Sequence, residues 1–186
     1  MPPRAPSLTF AAALWAALLT AANTWAAESF SPYVDGEGTI SLPEGYLGWT
    51  RLGTWSIAGE EPGAGAKAFH VVYTQPETVA AYRETGQFPD GAVLVKELMD
   101  TVTEELSTGR VSRAKAVTGW FVMVKDAKGR FEDHPLWGDG WGWALFDAEA
   151  PETQVIDSYL EECLPCHVPV RASDWVFVDG YPVLQK

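Results

Sequence analysis

Near the C-terminus the chain reads Cys163-Leu164-Pro165-Cys166-His167, a segment that sets narrow limits on the rest of the protein. Two thiols separated by two residues and followed at once by a histidine are what covalent haem attachment requires. Each thiol adds to one vinyl group of the porphyrin, and the adjacent histidine is placed to bind the iron. The chain has only two cysteines. The sequence therefore predicts one covalent haem c, with Cys163 and Cys166 as attachment sites and His167 as proximal iron ligand.

Two other interpretations of this segment remain open. A Cys-x-Pro-Cys pair also occurs in thioredoxin-like proteins, where the thiols open a helix just after an early strand. Here the pair stands at the end of a helical segment and close to the C-terminus, which is the wrong place for such an active site. A plain disulfide or a chance match is the second alternative, because the motif fixes only a few positions.

The first 26 residues have the features of a secretory signal peptide. Arg4 supplies a positive charge, Leu8–Leu19 is an uncharged apolar core, and Ala26 ends a small-x-small cleavage site. The apolar run is shorter than the roughly 20 residues that a spanning helix needs. An exported, periplasmic protein is therefore favoured over one held by an uncleaved membrane anchor. The mature chain, residues 27–186, has the size of a single domain.

The composition is strongly acidic. The chain has 13 Lys and Arg against 25 Asp and Glu, and loss of Arg4 with the leader makes the balance 12 minus 25, or −13. Such a surface disfavours nucleic acid and anionic membranes as partners and favours a basic electron-transfer protein. Solubility is the simpler explanation of the charge.

Apolar alternation predicts a sheet-dominated α+β domain. A helix is expected from Pro76, which suits a first turn, to Gly86, which suits a left-handed position after the last turn. Period-two patterns bounded by turn residues indicate strands at residues 49–57, 67–74, 92–99, 117–125 and 175–178. A hairpin turn at residues 126–129 leads towards the tryptophan-rich run 137–146, which is most simply part of the core.

Two other segments are expected to contain helix. Residues 101–116 are polar and poorly periodic, and we interpret them as a long connection with some helical structure. After Pro151 the spacing of Ile156, Leu160 and Cys163 is helical. It predicts a C-terminal helix that lays an apolar stripe against the porphyrin and carries the haem motif.

Lys96 occupies an unusual position in its predicted strand. Alternation places it on the same face as Ala92, Leu94 and Leu98, all of them apolar. One explanation is that its stem lies along the sheet and its amine reaches water. The other is a desolvated amine whose lowered pKa leaves it neutral and nucleophilic.

A routine electron-transfer cytochrome fits this chain badly. Such proteins commonly carry the haem motif near the N-terminus and a methionine ligand downstream of it. Here no methionine follows Cys166, and only Met99 and Met123 precede it in the mature chain.

Several ordered blocks of sequence accompany the haem motif between about Trp49 and Leu184. They are Phe69–Tyr73 followed by Pro76-Glu77, Thr85–Gly91 leading into Val93–Leu98, Val124–Asp126, Val176-Phe177 and Tyr181–Leu184. Together they resemble the cytochrome P-460 family and its relative cytochrome c′-beta. The resemblance implies a mostly antiparallel sheet, often a homodimer, and a five-coordinate haem whose distal side is open.

The resemblance also implies roles for individual residues. Lys96 matches a family lysine that forms a covalent bond to the porphyrin edge. The acidic residue that assists catalysis in active members falls at Phe121, and an arginine of the distal pocket falls at His70. Phenylalanine cannot accept a proton, whereas a histidine with an ordinary pKa near 6.5 could serve as a substitute distal base. A hydrogen-bonded structural histidine is the alternative for His70.

The function implied is that of an exported mono-haem protein that acts on small nitrogen species. It would oxidise hydroxylamine, bind nitric oxide, or do both at an open iron site. One alternative is a c′-beta-like protein that binds nitric oxide without turnover. Another is a plain electron carrier with Met99, Met123 or His70 as sixth iron ligand. Phe121 argues against strong enzymatic activity.

Overall fold

The computed structural model describes Met1 and residues 30–185. Apart from Met1, the predicted leader at residues 1–26 lies outside the described residues. Within the part of the chain that is described, no helix has both the length and the apolar character needed to cross a membrane.

Six strands form one antiparallel sheet in the described residues. They are β1 (Thr50–Ala58), β2 (Ala66–Thr74), β3 (Val93–Leu106), β4 (Gly109–Lys125), β5 (Trp137–Gly138) and β6 (Trp141–Asp147). Their order across the sheet is β1-β2-β3-β4-β6-β5. The helices are α1 (Pro76–Thr85), α2 (Tyr159–Glu162) and α3 (Leu164–His167), with 3-10 turns at Tyr46–Gly48, Val168–Ser173, Val178–Gly180 and Pro182–Leu184. The sheet-dominated α+β prediction is confirmed.

The helix α1 has the ends that its sequence predicts. Pro76 lies in the first turn, where its missing N–H leaves no helical hydrogen bond unmade. Gly86 follows the last turn with φ of 76°, a left-handed conformation that glycine adopts without a steric penalty. Its N–H donates to the carbonyl of Tyr82 at 2.7 Å. This ending stops the helix and returns the chain towards β3.

The register of the sheet sorts side chains into two faces. Residues directly opposite one another in an antiparallel sheet point to the same side. One row across β2, β3, β4 and β6 contains Val72, Lys96, Phe121 and Leu145. The neighbouring row contains Tyr73, Val95, Val122 and Ala144, and it points to the opposite side. We call these the Lys96 face and the Val95 face.

A different part of the chain covers each face. The segment 30–49 packs on the Val95 face, where the Tyr46 hydroxyl donates to the buried Glu97 carboxylate. The indole Nε1 of Trp120 donates to the same hydroxyl at 2.7 Å. The C-terminal residues 159–184 cover the Lys96 face, with His167 packed on Trp143. The sheet is therefore a wall between an N-terminal cover and a C-terminal cover.

The expectation for residues 101–116 is wrong. These residues extend β3 and β4 into a long hairpin instead of forming a connection with helix. Cross-strand ion pairs join Arg110 to Glu105 at 2.7 Å and Arg113 to Glu104 at 2.6 Å. Because the hairpin extends beyond the core, it has no apolar face, and the alternation that marks a half-buried strand is missing.

The C-terminal predictions need two corrections. The expected helix after Pro151 is reduced to the single turns α2 and α3, and Leu160 is 57% exposed, so no stripe of the predicted kind exists. No strand is found at residues 175–178 in the described structure. Trp175 has φ of 64°, a left-handed conformation that a strand cannot contain.

Candidate functional site

His167 lies at the end of α3 with its ring fixed from one side. Its Nδ1 is 2.6 Å from the carbonyl oxygen of Trp175. With the proton on Nδ1 and donated to this carbonyl, the lone pair of Nε2 is free to bind a metal. Burial lowers the pKa of His167, the hydrogen bond to Trp175 opposes that shift, and the nearby Lys96 ammonium adds to it. A neutral imidazole is the form that ligates iron.

Two aromatic rings hold the plane of this imidazole. Trp143 meets it nearly edge-on, with ring centres 4.9 Å apart and an interplanar angle of 76°. Phe177 meets it at 5.5 Å and 68°. Sequence reasoning placed the tryptophan run of β6 in the core and gave Phe177 no role of its own, so it missed both contacts.

The two thiols differ in their surroundings. Cys163 is buried, and loss of solvation raises the pKa of its thiol to about 11. Cys166 is exposed, and neither cysteine takes part in a disulfide. All neighbouring strands of the sheet are antiparallel, so the βαβ setting of a thioredoxin-like dithiol is not found in the described residues. Both thiols and His167 border the same cavity.

This cavity lies between the Lys96 face and the C-terminal cover. It contains about 700 Å³ of space not filled by atoms, part of which is open to solvent. Most of its wall is aliphatic or aromatic. The lining residues are Val72, Leu94, Lys96, Phe121, Val122, Met123, Trp143, Ala144, Glu162, Cys163, Cys166, His167, Val176, Phe177 and Tyr181.

Lys96 and Phe121 reach this cavity from adjacent strands. The Lys96 Nζ lies 4.3 Å from the centre of the Phe121 ring. Loss of solvation lowers the pKa of Lys96, while the thiols of Cys166 and Cys163 act in the opposite direction. The structure thus brings the predicted lysine, phenylalanine, cysteines and proximal histidine together around one space.

His70 stands apart from this group. It lies on the Lys96 face of β2, opposite Trp55 on one side and Leu98 on the other. It is not among the residues that line the cavity. Burial lowers its pKa, and the Lys96 ammonium lowers it further. At pH 7 His70 is therefore a neutral histidine that lies on the same face of the sheet as Lys96 but does not line the cavity.

The residues present fit a haem. An imidazole with its Nδ1 hydrogen-bonded and its Nε2 lone pair free is the form of histidine that binds iron. Two thiols stand beside it, and the mostly apolar wall of the cavity they border suits a hydrophobic group. Cys163, Cys166 and His167 would hold the group, with Trp143 and Phe177 against the ligand ring. These features define the site of a c-type haem protein.

The comparison with protein families agrees with the site. The chain belongs to the Cytochrome P460 family, whose model matches residues 43–178. The match includes every sequence-predicted site residue, from His70 to His167. The resemblance inferred from the sequence blocks is confirmed. No curated protein matches the chain significantly.

Proposed function

We propose that this chain is an exported haem protein that binds nitric oxide at an open iron position and turns over hydroxylamine weakly or not at all. One haem would be attached through thioether bonds to Cys163 and Cys166, with His167 as iron ligand. When bound, the haem supplies an iron centre that exchanges electrons and takes a small nitrogen ligand. The observation that carries the proposal is the apolar wall around Phe121.

The chemistry of hydroxylamine explains why that wall matters. Its oxidation releases protons as well as electrons, so an efficient site needs a proton acceptor near the reacting nitrogen. Phe121 has none. Among the described cavity-lining side chains the one carboxylate is Glu162, whose Oε2 accepts hydrogen bonds from the backbone N–H groups of Asp157 and Ser158 at 3.0 and 3.1 Å. Binding of a neutral diatomic ligand requires no proton acceptor, and an apolar wall suits it.

Two measurements on the purified protein test this function. We expect the reduced protein to bind nitric oxide stoichiometrically in an optical titration. Hydroxylamine should reduce an artificial electron acceptor slowly or not at all. Rapid hydroxylamine oxidation would indicate an enzyme instead of a gas-binding protein. An absence of nitric oxide binding would reject the gas-binding function.

A bond between the Lys96 nitrogen and an edge carbon of the porphyrin is the second part of the proposal. It would replace one N–H and one C–H bond by a C–N bond, with two protons released and two electrons passing to an external two-electron oxidant such as a peroxide. The Lys96 amine borders the same cavity as the two thiols. The lowered pKa of Lys96 also increases the neutral, nucleophilic fraction of that amine. A far red-shifted Soret band after reduction with dithionite is the expected signature. An ordinary high-spin spectrum would indicate a c′-beta-like protein with an unlinked lysine.

Electron transfer is a second candidate function because of Met123. This side chain is 8% exposed and lines the cavity, so a thioether is available in the wall. Methionine is a common sixth ligand in cytochromes c. Sharp six-coordinate bands in the wild-type spectrum that disappear in Met123→Leu would favour this function over gas binding.

Export and partners complete the proposal. Protein recovered from the periplasm should begin near residue 27, which N-terminal sequencing would show. A balance of −13 in the mature chain, 12 minus 25, favours a basic protein as electron partner. A homodimer is expected from the family resemblance, and sedimentation velocity would measure it.

A further inference from the structure

The hydrogen-bond acceptor of His167 lies in an unusual turn. The carbonyl that receives its Nδ1–H belongs to Trp175. Asp174 and Trp175 both have left-handed backbone conformations, with φ of 58° and 64°. Such values are uncommon outside glycine and are outliers for bulky residues. Two in succession persist only where the surrounding structure holds them.

Two side chains at strand ends hold this turn to the sheet. Lys125, the last residue of β4, places its Nζ 2.7 Å from Oδ1 of Asp174, and its own side chain is only 12% exposed. Trp141, the first residue of β6, donates from Nε1 towards the Asp174 carbonyl oxygen at 3.0 Å and towards Oδ1 at 3.2 Å. The Lys125 ammonium also lies 4.9 Å from the Trp141 ring centre. Asp174 is therefore fixed through its side chain and its backbone.

The same two strands shape the wall of the haem cavity. β4 contributes Met123, two residues before Lys125, and β6 contributes Trp143, two residues after Trp141. Trp143 packs on the ring of His167. The same ends of β4 and β6 thus set both the packing of the imidazole and the position of its hydrogen-bond acceptor.

We propose that Lys125 and Asp174 are positioning residues for the iron ligand, holding the Trp175 carbonyl where it accepts the Nδ1–H of His167. An acceptor at this nitrogen fixes the tautomer and increases the electron donation of the ring to a bound metal. Loss of the Lys125–Asp174 ion pair would weaken that donation, so a bound iron would be easier to reduce. The inference rests on the proposed role of His167 as iron ligand.

The test measures the iron–histidine bond directly in the holoprotein. Resonance Raman spectra of the reduced protein report the iron–histidine stretching band, and redox titration reports the midpoint potential. Lys125→Met keeps the aliphatic stem and removes the charge. Asp174→Asn keeps a residue type that tolerates the left-handed conformation. Lys125→Arg keeps a cation at this position. Lys128→Met is the matched control, since Lys128 has a 71% exposed side chain.

The expected result has a fixed direction. Lys125→Met and Asp174→Asn should both move the iron–histidine band to lower frequency and the midpoint potential to more positive values. Lys125→Arg should return towards wild type, and Lys128→Met should not differ from it. Asp174→Asn alone decides the outcome if Lys125→Met does not fold. Unchanged bands and potentials in the folded variants would overturn the proposal, whereas a five-coordinate wild-type protein without an iron–histidine band would overturn the ligand assignment itself.

Discussion

Lys96 and Phe121 are direct cross-strand partners, and the lysine ammonium lies 4.3 Å from the centre of the phenylalanine ring. The ring face is electron-rich and attracts a cation at this distance. Burial acts in the opposite direction and lowers the pKa of Lys96. The pair therefore places a buried amine beside an apolar ring in the cavity wall, with no carboxylate of its own.

The first prediction concerns Phe121. Phe121→Glu should increase hydroxylamine oxidation by about 10²-fold or more, because a carboxylate in this wall can accept a proton during the reaction. The rate of reduction of an artificial electron acceptor measures it. Phe121→Gln is the matched control, since the amide has the same shape and cannot act as a base. Equal rates for the two variants would contradict the proton-acceptor argument.

The second prediction concerns the lysine itself. In the wild-type protein, a proteolytic digest should contain the Lys96 peptide and the Cys163–His167 peptide in one haem-bearing species. Lys96→Met should separate them and return the reduced spectrum to that of an ordinary c-type haem. Lys67→Met, at a 54% exposed side chain, should change neither readout. An unmodified Lys96 peptide from the wild type would refute the cross-link.

His70 gives a prediction in terms of pH. Burial and then Lys96 lower its pKa below the usual 6.5. At pH 6.5 and above the imidazole is therefore neutral and able to accept a proton. If it is the distal base, turnover falls as pH decreases through the lowered pKa, and His70→Asn removes this acid limb. Nitric oxide affinity should stay unchanged, because His70 does not line the cavity. Identical pH profiles for the variant and the wild type would leave His70 a structural histidine.

The buried pair of Glu97 and Tyr46 predicts a loss of stability. Tyr46→Phe removes the hydroxyl that donates to the Glu97 carboxylate, and an unsatisfied buried acceptor costs about 1–3 kcal/mol. Chemical denaturation of the holoprotein measures the free energy of unfolding. Tyr33→Phe is the control on the same segment, since its ring packs on Trp49 at 5.8 Å and should keep that contact. Equal losses in the two variants would show that the Glu97 contact is unimportant.

Tyr181 predicts a loss of stability at alkaline pH. Burial raises its pKa to about 12 from an ordinary value of 10.0. The unfolded chain then loses this proton first, so the folded state is stabilised below pH 10 and that stability is lost as the pH rises towards 12. The loss amounts to roughly 2–3 kcal/mol. Denaturation curves between pH 8 and 11 should be less pH-dependent for Tyr181→Phe, and equal pH dependence would contradict the prediction.

The fold was predictable where one face of an element is buried. β2 alternates cleanly between two environments, and α1 has proline and glycine at its ends, so both were found within a residue or two. The hairpin at 101–116 was missed because both of its faces are polar. The C-terminal helix was overpredicted, since Ile156 and Cys163 are buried at a helical spacing while Leu160 between them is exposed.

The site was predictable as a set of residue types and much less as a set of contacts. The haem motif and the odd position of Lys96 follow from spacing and alternation alone. The Trp175 carbonyl could not be predicted, because a backbone acceptor has no signal in the sequence. Trp143 and Phe177 looked like ordinary core residues, and only their position against the His167 ring gives them a role.

The pairing of β3 with β4 is uninterrupted from Val93 opposite Val124 to Leu98 opposite Gly119, and its irregularities begin only beyond that point. Neighbouring residues of a strand face opposite sides. A slip of a single residue in β3 would thus exchange the cationic Lys96 for the acidic Glu97 at the haem cavity and bury an ammonium beneath Tyr46. Whether a positive or a negative side chain faces the cofactor therefore depends on the register of β3. An insertion or deletion of one residue in this stretch would do more harm than most substitutions.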